Sequence, residues 1–144
     1  MATVRDILSR KGTEVVSVSP TATVHEAARR MNERSIGGLV VLADGVLTGI
    51  FTERDVLRRV VVPGRPPAGT TVAEVMTTPV ITCSASTRIE ECAELMTSRR
   101  IRHLPVVDDG ALGGMVTIGD LLAFQLRDQQ ATIEYMNNLV YDVR

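Results

Sequence analysis

A chain of 144 residues fits one compact domain or two small halves sharing a core, and folding at this size hides roughly two thirds of the unfolded surface without help from a metal or disulfide. With no Trp, two Tyr and two Phe among 44% hydrophobic residues, the core must be aliphatic and base-stacking nucleic-acid platforms are disfavoured. Sixteen basic against 17 acidic residues leave a charge of -1, so no global field draws in DNA, RNA or an anionic membrane and any anion site must be local.

In chain order, VRDIL (4 to 8) reads as a short helical segment and EVVSV (14 to 18) as a β-branched strand. TVHEAARRMNER (23 to 34) spaces apolar residues at i, i+3, i+4 and i+7, the pattern of an amphipathic helix. GLVVLADGVLTGIF (38 to 51) is two apolar runs hinged on Asp-Gly, a strong hairpin signal, and a helix is expected from Thr52 onward. VPGRPPAGTT (62 to 71), with three Pro and two Gly, suits neither helix nor central strand and reads as a linker. Then the order returns: VAEVM (72 to 76) as a short helix, VITC (80 to 83) as a strand, RIEECAELMTSR (88 to 99) as a helix, and HLPVVDDGALGGMV (103 to 116) as a hairpin followed by a helix.

An offset of 65 residues lays the two halves over each other without a gap, matching Met31 with Met96, Leu39 with Leu104, Asp44-Gly45 with Asp109-Gly110, Gly49 with Gly114, Thr52 with Thr117 and Asp55 with Asp120. The expected class is mixed α/β (α+β): two tandem β-α-β-β-α repeats, residues 1 to 62 and 72 to 127, joined by the linker 63 to 71 and followed by a C-terminal helix, 128 to 144. Neither repeat covers both faces of its sheet, so the two should pack about a pseudo-twofold axis.

This unit, its duplication, the RHLPVVDDG stretch, the Thr-x-x-Asp that follows each hairpin and the short leading helices resemble a pair of cystathionine-β-synthase (CBS) domains, a Bateman module, over roughly residues 4 to 127. TERD and DQQATI (128 to 133) are most similar to stand-alone two-repeat proteins. The resemblance implies a regulatory sensor that binds an adenosine-containing ligand (AMP, ADP, ATP, NAD or S-adenosylmethionine) between the repeats, requires no cofactor, and forms a homodimer. It also implies that Asp120 and Thr117 would take the ribose of a ligand lying against Val16, Ile36 and Gly37, and that Asp55 and Thr52 would do so against Ile81, Ile101 and Arg102. Arg54, Arg102 and His103 are the implied phosphate partners. Repeat 1 has Gly37-Gly38 where repeat 2 has Arg102-His103, so two unequal sites are expected.

The residues themselves leave two readings of Thr-x-x-Asp open. The spacing is that of a helix cap, with Thr at the N-cap and an acid at N3 satisfying orphan backbone donors. A carboxylate in the first turn can equally accept both hydroxyls of a ribose, beside N–H groups that favour a phosphate. Cys83 and Cys92 align with Val18 and Ala27 and read as core residues, and a redox-responsive partner site would need exposed, low-pKa thiols. His25 and His103 do not align with each other and make no metal cluster, and no nucleophile stands beside a base, so neither a metal site nor an enzyme is expected.

In the tail, Ile133, Met136, Val140 and Val143 share one helical stripe that either folds back on its own core or meets a second copy. The alternative to a sensor is a ligand-independent interaction scaffold. The opening MATVRDILSRKG has no apolar signal segment, and no run approaches the ~18 residues of a membrane span, so a soluble cytoplasmic protein with no membrane or nucleic-acid partner, acting on an unidentified regulated protein, is expected.

Overall fold

Both hairpins turn on Asp-Gly because that turn needs positive φ at two successive residues. Asp44 and Gly45 have φ of 49° and 78°, and Asp109 and Gly110 have 50° and 76°, the signature of a type I′ turn whose twist matches the flanking strands. The computed structural model describes the backbone of residues 1 to 142 and side chains to residue 139. In repeat 1, β1 (Ser17–Val18) lies parallel to β2 (Gly38–Ala43), which pairs antiparallel with β3 (Val46–Thr52); in repeat 2, β4 (His103–Asp108) pairs with β5 (Ala111–Thr117). Each hairpin shifts register once, between Val41 and Leu42 and between Val106 and Val107.

The helices are α1 (Val4–Lys11), α2 (Val24–Arg34), α3 (Glu53–Asp55, continued as a π-helix over Val56–Val61), α4 (Val72–Val75), α5 (Ile89–Arg99) and α6 (Ile118–Asp142), with a 3-10 turn at Pro67–Gly69 inside the linker. α2 starts where Thr23 accepts from the Glu26 amide and Glu26 accepts from the Thr23 amide, a capping box. α1 runs one turn beyond the expected 4 to 8, closing on Gly12.

The expected strands at 14 to 18 and 80 to 83 are shorter than their β-branched composition suggests. The first is reduced to Ser17–Val18, and the second to a single bridge between Cys83 and Val106. Proline accounts for the difference between the copies. The Val40 amide donates to the Val16 carbonyl at 3.2 Å, but the aligned residue in repeat 2 is Pro105, which has no N–H to offer Ile81.

The short leading helices cross over. Val4, Ile7 and Leu8 of α1 are buried in the core of repeat 2, among Cys83, Cys92, Met96, Leu104 and Val116. Val72 and Val75 of α4 are buried in the core of repeat 1, among Val24, Met31, Leu39, Phe51 and Val60. Matching backbone bonds stitch each exchange. The Val4 amide donates to Thr87 and the Ile89 amide to Ala2, just as the Val72 amide donates to Ala22 and the Val24 amide to Thr70. Burying each such aliphatic side chain is worth roughly 1.5–3 kcal/mol, so one leading helix contributes on the scale of a domain's whole net stability.

A third apolar cluster joins the repeats: Val40, Ile50 and Met115 with Val15, Leu42, Leu47, Val80 and Leu112. Val15 and Val80, Leu47 and Leu112, and Ile50 and Met115 are pairs related by the 65-residue offset, so this cluster lies across the pseudo-twofold axis. α6 enters the repeat 2 core at Leu121 and Phe124, but its described residues beyond these do not fold back over the core. From Gln125 to Leu139 every residue is exposed, Ile133 and Met136 included; the Val140 side chain and Val143 lie outside the described residues.

Candidate functional site

The two Thr-x-x-Asp segments sit where a hairpin ends and a helix begins, and both form caps. The first helical amide of each start is already bonded, Glu53 to the Gly37 carbonyl and Ile118 to the Arg102 carbonyl, each at 3.0 Å. The carboxylates then differ. Asp55 is buried, and both of its oxygens are committed: Oδ2 accepts from the Thr52 amide at 3.0 Å and the Thr52 hydroxyl at 3.4 Å, while Oδ1 accepts from the Thr77 hydroxyl at 2.8 Å with Arg59 Nε 3.7 Å away. Thr77 is held there by its backbone, which exchanges two hydrogen bonds with Ile50.

Asp120 is half-buried, and all its contacts among the described residues fall on Oδ2, from the Thr117 amide at 2.8 Å and Lys11 Nζ at 2.7 Å. Thr117 returns the cap by accepting from the Asp120 amide at 3.2 Å. Oδ1 is left open. Lys11, at the end of α1, also donates to the Met115 carbonyl at 2.9 Å, so the exchanged leading helix places an ammonium on this carboxylate. On one side of it lies a cleft of about 120 Å³ between α1 and α6, lined by Arg10, Lys11, Asp120, Phe124 and Arg127.

His103 closes the axis. Gly38, its counterpart by offset, is buried against it: a Cβ on Gly38 would lie 3.1 Å from His103 Nε2 and 3.0 Å from the Thr52 methyl, so the absence of a side chain there is what admits the imidazole. Burial holds the His103 pKa below its ordinary 6.5; neighbouring Lys11 and Arg102 act the same way, opposed by Glu53 and Asp120. Arg54 reaches across the repeats to donate to the Arg100 carbonyl, and Arg102 is exposed. Val16 and Ile36 are half-buried beside the repeat 1 core and Ile81 and Ile101 beside the repeat 2 core, with Gly37 half-buried against Glu53 and His103.

Sequence reasoning missed Lys11, Thr77 and Arg59, the side chains that distinguish the two carboxylates. Arg59, one helical turn after Asp55, carried a local signal; Lys11 is 109 residues from Asp120 and carried none. Cys83 and Cys92 are both buried in the repeat 2 core, and the hydrogen bond between them pushes the Cys83 thiol up and the Cys92 thiol down; burial leaves neither with the exposure that a redox site needs. Among the described residues no group of three His, Cys, Asp or Glu could hold a metal ion, and no helix is long and apolar enough to cross a membrane.

A family model for the CBS domain matches residues 3–62 and again 72–127. The chain belongs to the CBS-domain family. CBS-domain proteins are signal-transduction and regulatory modules. A CBS domain-containing protein of Bacillus subtilis, YhcV, is 37% identical over 131 residues, covering 91% of each chain. A Burkholderia ambifaria structure, provisionally described as a signal-transduction protein with CBS domains, is 40% identical, with a TM-score of 0.87 over 89% of this chain and 96% of the other. A CBS-CP12 protein from bloom-forming cyanobacteria, 29% identical with a TM-score of 0.74 over 84% of this chain and 70% of that one, is hexameric.

Proposed function

We propose that this CBS pair is a non-catalytic regulatory sensor that binds one adenosine-containing nucleotide (AMP, ADP, ATP or NAD) at Asp120 and converts occupancy into a change of conformation or assembly. The observation that carries this reading is the contrast between the carboxylates: half-buried Asp120 has an oxygen with no hydrogen-bond partner among the described residues, at a helix start and next to a cleft, whereas both oxygens of buried Asp55 are committed. A vicinal diol needs two acceptor positions on one carboxylate, and Asp120 provides the second once Lys11 moves aside. Thr117 holds the carboxylate in register, and Val16, Ile36 and Gly37 supply a half-buried apolar wall for a base. Occupancy shifts the population toward the repeat geometry that the ligand bridges, by no more than its difference in affinity for the two arrangements.

The exposed apolar residues fit a second copy. Leu57 and Val61 on one repeat and Leu122 and Leu126 on the other are related by the offset and all exposed, and the α6 stripe continues the surface. A homodimer through this face would cover it. The scaffold alternative keeps one observation in its favour, since Asp55 is fully explained as a cap. Native and denaturing mass spectrometry of purified protein, followed by thermal unfolding of ligand-stripped protein with each nucleotide, tests the sensor reading. A ligand at 100 times its dissociation constant adds about 2.7 kcal/mol; no shift with any adenine nucleotide would leave the scaffold.

A further inference from the structure

The cleft beside Asp120 is too small for a whole nucleotide. Ligand pockets usually enclose about 300–1,000 Å³, against about 120 Å³ here, so it suits one part of a ligand. Its chemistry selects the part. Arg10 and Lys11 from the last turn of α1 and Arg127 from α6 converge on a surface that offers a single carboxylate, Asp120. Lys11 is paired with that carboxylate, while neither Arg10 nor Arg127 has an acidic partner among the described residues. Two guanidiniums without counter-charge, beside the apolar surfaces of Ile7 and Phe124, form a local excess of positive charge in a chain whose total is -1. Guanidinium forks bind phosphate oxygens through paired donors.

We infer that the α1–α6 cleft is a polyphosphate subsite, in which Arg10, Lys11 and Arg127 take the phosphate chain of a nucleotide whose ribose is held by Asp120. This rests on the sensor reading for the ribose contact; the cleft and its cations stand independently of it. Lys11 couples the two parts. Its ammonium occupies Asp120 Oδ2 at 2.7 Å, so a diol that claims the carboxylate releases Lys11, and a phosphate arriving in the same cleft gives it a new anion. A nucleoside displaces Lys11 without compensating it. The site therefore discriminates by phosphate number, favouring ATP over AMP and AMP over adenosine.

The test uses the full chain, stripped of co-purified ligand, with adenosine, AMP, ATP and inorganic tripolyphosphate as calorimetric titrants. Arg10→Gln combined with Arg127→Gln alters two exposed side chains, and its unliganded melting temperature checks that it folds. The expected result is an ATP affinity lowered by about tenfold or more in the double variant, the loss of at least one charge-assisted contact, with adenosine unchanged within about twofold. Lys11→Met should narrow the gap between ATP and adenosine from both sides. Equal binding of ATP and adenosine to the unsubstituted chain, or an ATP affinity indifferent to the double substitution, overturns the subsite while leaving the sensor reading intact. Tripolyphosphate separates the two failures: if no adenine compound binds yet tripolyphosphate does, and the double variant loses it, the sensor reading falls and the anion cleft stands. Failure of tripolyphosphate and ATP together overturns the cleft.

Discussion

Replacing each aspartate by alanine should have opposite consequences for stability and for binding. Asp55→Ala removes a buried acceptor that serves the Thr52 amide at 3.0 Å and the Thr77 hydroxyl at 2.8 Å. Each loses a hydrogen bond to a charged group, worth about 1.5–3 kcal/mol, so a total of about 3–6 kcal/mol is expected. A chain of this length loses about 2–4 °C of melting temperature per kcal/mol, which puts the fall at roughly 6–24 °C. Asp120→Ala removes one cap, worth about 0.5–2 kcal/mol, and a part-exposed ion pair with Lys11 worth about 0–1 kcal/mol, a fall of only a few degrees. The nucleotide increment should behave in reverse, kept by Asp55→Ala where the variant remains folded and lost by Asp120→Ala. Thermal unfolding of both variants, with and without ATP, measures all four quantities. If Asp120→Ala melted as low as Asp55→Ala, or if Asp55→Ala alone erased the increment, the assignment of one structural and one ligand-binding carboxylate would be wrong.

Other outcomes follow from the axis and the apolar face. His103 is half-buried, and its desolvation holds its pKa below 6.5, so the unfolded chain binds its proton first; the stability it confers is whole above pH 6.5 and is lost as pH falls from there through the lower folded value. Denaturant unfolding between pH 5 and 8 should show that loss, reduced in His103→Gln, and an identical pH slope in the variant would place the titration elsewhere. Leu122→Glu combined with Leu126→Glu adds charge to an exposed apolar surface and should leave the monomer folded while lowering the mass measured by light scattering; an unchanged mass would put the self-association surface on another face. Truncation after Arg127 separates the α6 extension from that face, since retention of the full-length assembly state would show that Ile133 and Met136 are dispensable for it.

Both hairpins, both amphipathic helices and the linker were legible because their causes are local: Asp-Gly for the turns, Thr23 and Glu26 for a helix start, proline for the break. The shortened strand of repeat 2 was legible in principle, since Pro105 stands in the row where a donor is needed, but β-branched composition at 80 to 83 outweighed it. The cap geometry of Thr52 with Asp55 and Thr117 with Asp120 could be read from spacing alone. What spacing could not give was the environment of each carboxylate. Identical motifs became a sealed and an open site because Thr77 follows α4 and Lys11 ends α1, and the fold brings each to its carboxylate from elsewhere in the chain. The crossing of the leading helices was hidden for a related reason, as Val4 to Leu8 and Val72 to Met76 have matching apolar patterns that suit either core.

That crossing means the stretch of chain that was copied and the body that folds are not the same piece. A repeat cut out at the linker carries the helix that its neighbour requires and lacks the one that fills its own core. Two severed copies would remedy this only by trading helices, and nothing in the trade requires both partners to lie on one polypeptide. Recombination that moved a lone repeat into a new host would deliver an open core and a stray helix, so such units are portable in pairs.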